Sequence, residues 1–340
     1  MANGIKAARQ IQMSRETTQG APSATFYNWR GMGVLEDVRE MVMPDEDVGK
    51  ISGTDRQYCP KTGGKLELEE VELTFEQIPH ILDAAIKYVA PSADSSGSGY
   101  IRQYEFPVDS SDLVESSDLQ TYSFKTGDNN EVEKASFGFV TDFKLSAAAG
   151  EAWKITSNWE TREVLSDSDG FAASPILQTV EEALLGNTYL YIDDSSDTPG
   201  TTLISNTLIG AEIDFNPTGW MSVFTGSGRL DFSFIKQVKP EIKMSITFEH
   251  NATATAEKAA WRVTEKARNI RLYIAGSALA VPGIYANKLI IIDLAGKWET
   301  FDKLDENDGN DVVTGNFIAR YNSVADLFSS IIVVNEVGAL

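Results

Sequence analysis

Apolar and polar positions alternate along this chain in short runs separated by turn residues. Ile242, Met244, Ile246 and Phe248 alternate with Lys243, Ser245 and Thr247, which predicts a strand with one buried face. Leu66 and Leu68 begin the same pattern earlier. Glu69 and Glu70 break its phase, and Val71, Leu73 and Phe75 resume it, so a bulge at Glu69–Glu70 would restore a common face. Related tetrapeptides close the two runs, LTFE at 73–76 and ITFE at 246–249, 173 residues apart (246 − 73). Helical spacing follows each. Ile78, Leu82, Ala85, Ile86 and Val89 form one stripe, with Pro79 suited to a first turn. Ala256, Ala259, Ala260 and Val263 form the other, with Asn251 or Thr253 as N-cap.

The order then continues in parallel. Strands are expected at 100–106 and 268–276, then at 118–124 and 287–294. Acidic turns follow at 126–131 and 305–311. Alternating strands through Phe137–Leu145 and Val313–Tyr321 come next, and closing strands at 151–164 and 329–337. Upstream, 33–43 stands where 203–215 and 220–235 stand later. A shared order of this length argues for internal duplication. Two polar stretches, 91–99 and 165–170, predict loops; 176–185 predicts a short helix after Pro175; and DDSSDTPGTT at 193–202 predicts a linker. The expected class is mainly β (a β-rich α+β chain). It has two tandem β-sandwich or barrel-like domains, each with a flanking helix. The boundaries are an N-terminal arm and loop region over 1–60, a first domain over 61–195 and a second over 196–340.

Charge narrows the function classes. Fifty Asp and Glu against 29 Lys and Arg leave a formal charge of −21, and no block of basic residues offers a grip on nucleic acid. Solubility alone accounts for the same acidity. Cys59 is the single cysteine, so no intrachain disulfide forms, and it reads as a packed small residue. The opening MANGIKAARQIQM lacks the apolar core of a signal peptide, and no run is long enough to span a bilayer, which points to folding in a reducing cytoplasm. The two histidines, His80 and His250, have no Cys or second His beside them, so an exposed or capping role is expected of each. DENDGND at 305–311 places Gly309 fifth rather than sixth, out of register for a calcium loop, and a hairpin turn explains it. Carboxylate pairs are too abundant to nominate a glycosidase site, and Trp153 and Trp159 alternate with apolar partners as core residues do. No phosphate-binding loop or nucleophile elbow occurs. No enzyme, cofactor or metal is expected.

The segment SRETTQGAPSA at 14–24, with Ile5, Lys6 and Arg9 ahead of it, resembles the opening of the tail tube (major tail) proteins of long-tailed bacteriophages. The chain end is similar too: an Asp-Gly turn, VVTGNFIARYN, and a last strand ending at VVNEV. The resemblance covers the two ends, and the middle only by element order. It implies a virion protein, assembled in the host cytoplasm, whose rings stack into a hollow tube that conducts DNA. Tape measure and tail terminator proteins are implied as partners. A one-domain tube subunit is about half this length, so duplication predicts three chains per ring with approximate six-fold symmetry. Arg15, Glu16, Thr17, Thr18, Gly20 and Pro22 become candidates for an assembly arm. Glu67, Glu69, Glu70 and Glu72 become candidates for an acidic lumen that repels phosphates, although a solvated outer face accounts for them as well. Two alternatives remain: another phage structural protein, such as a decoration or terminator component, and a surface β-sandwich adhesin or carbohydrate-binding module.

Overall fold

The structure is a computed structural model that describes residues 5–226, 228–307 and 309–340. It is mainly β, with 48% strand, 9% helix, two α-helices and a large antiparallel sheet. The principal elements in chain order are β1 (Gln10–Arg15), β2 (Gly33–Asp37), β3 (Gly64–Glu72), α1 (Ile78–Ala85), β4 (Tyr122–Gly127), β5 (Val132–Ala148), β6 (Lys154–Thr161) and β7 (Val164–Ser166). The second half supplies β8 (Thr188–Asp194), β9 (Leu208–Phe215), β10 (Ile242–Glu249), α2 (Ala252–Thr264), β11 (Ala267–Ala278), β12 (Asn287–Phe301), β13 (Asn310–Ala319) and β14 (Ser329–Asn335).

The same pairings occur twice. β1 pairs β4 as β8 pairs β11. β2 pairs β3 as β9 pairs β10. β3 pairs β6 as β10 pairs β13. β5 joins β4, β6 and β7 as β12 joins β11, β13 and β14. Even the irregularities repeat. The β5–β6 register slips after Val140↔Trp159, and the β12–β13 register slips after Trp298↔Phe317. Both partners are 158 residues on (298 − 140; 317 − 159). For β2–β3 against β9–β10 the spacing is 178 (215 − 37; 242 − 64), from Asp37↔Gly64 and Phe215↔Ile242.

This register corrects the one drawn from LTFE and ITFE. Thr247–Glu249 lie inside β10, whereas Thr74–Glu76 lie beyond the end of β3. The strand at Tyr100–Glu105 has no counterpart; it belongs to an insertion after α1 and pairs with β14. The counterpart of β11 is β4, that of β12 is β5, and that of β13 is β6. The bulge at Glu69–Glu70 is present: Ser157↔Leu68 is followed by Ile155↔Val71, three residues against two.

One open sheet runs through both halves in the order β2–β3–β6–β5–β9–β10–β13–β12, joined at its centre where Phe143–Ala148 of β5 pairs with Gly210–Phe215 of β9. Alternation sends one set of side chains inward: Leu66, Trp159, Phe143, Phe215, Met244 and Phe317 are all buried in a single core cluster. β1 and β4 cover that core in the first half, where Tyr122 and Phe124 meet the Trp159 ring edge-on. β8, β11 and the first part of β12 supply Leu190, Leu272 and Ile290 to it in the second.

The helices differ in what covers them. Every residue of α1 is buried, because the insertion folds over it; Gln120 donates to the Asp83 carbonyl and the Tyr104 hydroxyl to the Asp83 carboxyl. Asn251 caps α2, accepting from the Thr253 and Ala254 amides. The expected stripe of α2 does not face inward, however: Ala256, Ala259 and Val263 are exposed, and Ala254 and Glu257 are the buried positions. Glu257 overrides the stripe because its carboxylate takes two bonds from Arg268, 2.9 and 2.7 Å, with the Trp298 indole also in reach.

Three more expectations change. The segment 176–185 is not a helix; its backbone bridges Tyr27, Thr74 and Ala152, and these tertiary hydrogen bonds outweigh its local preference. DDSSDTPGTT is a hairpin turn rather than a linker, gathered by the Asp193 carboxylate, which accepts from the Gly200, Thr201 and Thr202 amides. The first 60 residues are not wholly an arm: β1 and β2 are sheet strands, and Ile11, Met13 and Leu35 lie in the core.

Candidate functional site

The outward face of the through-running sheet is the largest ordered polar surface of the chain. Leu66 and Leu68 point inward, so Lys65 and Glu67 point outward, and all four candidate carboxylates, Glu67, Glu69, Glu70 and Glu72, are exposed on β3. Glu36 and Lys65 are directly opposite, as are Lys65 and Glu160. Across the central joint Lys144 is opposite Asp214, and its amino group is 2.8 Å from Glu212. Lys154 reaches Glu70 at 3.2 Å. The Asp214 carboxyl is pushed up by partial burial and next by the charge of Asp142. Carboxylates on β2, β3, β5, β6 and β9 thus outnumber the interleaved lysines, and arginine does not occur among the outward residues of the sheet.

The repeat places matching groups on this face. Lys65 and Lys243 correspond, as do Glu36 and Asp214, and Asn158 and Asn316. Asn158 donates to Asp142 at 2.7 Å, and Asn316 donates to Thr300 at 2.9 Å, the residue 158 positions after Asp142. Sequence reasoning missed these pairs because it aligned the halves at a spacing of 173. At 178 and 158 the identities are visible in the sequence itself.

The sheet ends in two free edges. β2 pairs only with β3, and β12 beyond Trp298 pairs only with β13. By the repeat β2 is the counterpart of β9, and β12 is the counterpart of β5. β9 and β5 are the strands that make the central joint.

The proposed arm residues lie elsewhere and are bound within the chain. Glu16 is buried, and each carboxylate oxygen takes one backbone amide and one hydroxyl. Oε1 accepts from Phe137 N (2.8 Å) and Ser123 Oγ (2.5 Å); Oε2 accepts from Gly20 N and Thr121 Oγ1, both at 2.6 Å. These bonds close a tight turn, with Thr18 bridged to Ala21 and Gly20 at φ +82°. They also hold Phe137 at φ +57°, a left-handed conformation costly for an aromatic residue. Thr17 and Pro22 are exposed beside this turn. Arg15 lies 3.4 Å from Asp83 and caps the Tyr88 ring.

His80 is buried rather than exposed, with its Nδ1 3.0 Å from the Tyr122 hydroxyl. Burial, and then the charge of Arg15, hold it neutral with a pKa of about 3. Burial pushes the neighbouring Asp83 carboxyl up to about 6, opposed by Arg15 and by the Tyr104 hydrogen bond. This cluster is sealed under the insertion and reaches no surface cleft. No known protein family matches this chain, and no curated protein is detectably similar to it in sequence.

Proposed function

We propose that this chain is a tail tube subunit made of two tandem tube-type β domains. Three chains close head to tail into a ring, and rings stack into a conduit for DNA. The observation that carries this reading is the central joint. Within the chain, β9 of the second half adds to β5 of the first. The two free edges of the sheet are the counterparts of those same strands, so the same joint can be made between chains, β2 of one to β12 of the next. Such a contact is heterologous and propagates until rotation closes it. It also removes the unpaired sheet edges that would otherwise promote open-ended association. The polar face then becomes the wall of a continuous channel. Carboxylates with interspersed lysines and no arginine suit a wall past which phosphates must slide, because there is little basic charge to exchange for counterions.

Electron microscopy of the purified chain tests this. Stacked rings of three chains with the Glu67 and Asp214 face inward are expected. Dispersed monomers, six chains per ring, or a lumen lined by Lys and Arg would each overturn it.

A further inference from the structure

Each half carries a hairpin between corresponding strands, residues 38–63 between β2 and β3 and residues 216–241 between β9 and β10. The same spacing of 178 holds at both ends, so the two insertions are equally long. Their surroundings differ sharply. The second hairpin (strands Trp220–Val223 and Phe234–Gln237) folds back onto the first half of its own chain. Trp220, Phe232 and Ile235 are buried there with Leu119, Phe137 and Phe139. The Trp220 indole donates to the Ile86 carbonyl at the end of α1, and Arg162 donates to the Ser233 carbonyl and lies 3.6 Å from Asp231. The first hairpin (strands Glu40–Val42 and Tyr58–Lys61) has no such seat: Met43 is 71% exposed, and Val48, Ile51 and Tyr58 are also exposed.

We infer that the hairpin at 38–63 docks on the second half of a neighbouring copy of this chain, at the counterpart of the surface that receives the second hairpin. This rests on the head-to-tail ring. The repeat names the receiving residues. Arg162 corresponds to Arg320, and Phe139 to Lys297, both 158 residues on. Arg320 is exposed, its guanidinium bonded to the Ala319 carbonyl, and among the described residues no carboxylate lies within ion-pair distance; Glu241 feels its charge from farther away. Lys297 is exposed on the adjoining strand, opposite Ile318. Val263, near the end of α2 as Ile86 is at the end of α1, is 78% exposed. The incoming hairpin has matching charge: Asp45, Glu46, Asp47 and Asp55 outnumber Lys50 and Arg56. Where the first half receives an aromatic hairpin on Phe139, the second half offers Lys297 and Arg320 to an acidic one. The joint and the hairpin follow in sequence on the same half, so an edge contact between chains carries the hairpin to this surface.

Cross-linking tests the contact. Phe139 and Phe232 meet at 5.9 Å between ring centroids. Their counterparts are Lys297 and Thr54 (139 + 158; 232 − 178), so the reagent is a short bismaleimide on Thr54→Cys and Lys297→Cys, each made with Cys59→Ser. Mixing the two single variants should give a cross-linked dimer, a chain carrying both should give a ladder, and Arg320→Glu should remove most of either product. Tubes that form normally without cross-linking would overturn the docking while leaving the tube reading intact. A parent chain that does not self-associate would remove both.

Discussion

Replacing Glu16 by Gln keeps the shape of the side chain and tests what its charge does. Each carboxylate oxygen accepts one backbone amide and one hydroxyl, Phe137 N with Ser123 and Gly20 N with Thr121. The hydroxyls can rotate and accept instead. The amides cannot. Whichever way the Gln amide turns, its NH2 meets either Phe137 N or Gly20 N and leaves that donor unsatisfied in a buried site. One stranded amide costs about 1–3 kcal/mol, and the remaining bonds lose their charge assistance, so a loss of about 2–4 kcal/mol is expected. Phe137 adds to the lower bound, because its left-handed backbone persists only while its surroundings hold it. Urea unfolding at neutral pH, followed by tryptophan fluorescence, reads the effect as a lower midpoint with an unchanged slope. A loss below about 0.5 kcal/mol would mean that Glu16 is not the tie that closes this turn. If Glu16 acted only as part of an external arm, the variant would unfold like the parent and fail only in assembly.

Asp83 makes stability depend on pH with an unusual sign. Its folded pKa of about 6 exceeds its ordinary 3.8, so its stabilising contribution is fully present below the unfolded value and is lost as pH rises through the folded one. Asp83→Asn removes that titration, so its unfolding free energy relative to the parent should rise by about 3 kcal/mol between about pH 3.5 and about pH 7; a pH-independent difference by denaturant titration would refute it. Asn251→Ala strands the Thr253 and Ala254 amides at the start of α2 and should cost about 1 kcal/mol, measured as a lower unfolding midpoint. An unchanged midpoint would mean that the cap contributes nothing.

Short-range pattern decided much of this protein. The alternation in 242–248, the phase break at Glu69–Glu70 and the helical spacing after Pro79 each specify an element through side-chain direction alone, and each is present. The existence of two equivalent halves was legible for the same reason, since order survives divergence of individual residues. What the sequence could not decide was register and company. LTFE and ITFE look alike, yet one lies past its strand and the other within it, because the bulge in β3 and the insertion after α1 shift the spacing between halves. The segment 176–185 has helical composition, but strand ends need its backbone as a partner. Val263 carries an apolar signal that exposure contradicts, while Glu257 is buried because Arg268 happens to meet it from another strand. The polar face was hinted at by the carboxylates of β3, but its continuity depends on β9 crossing to β5. That contact joins residues about 65 positions apart in sequence, between Leu145 and Ile213 and their neighbours, and no local pattern encodes it. Side-chain periodicity is a property of neighbouring residues and can be read along the chain. Strand partnership is set by which edges remain unpaired after the core has closed, and only the tertiary structure determines that.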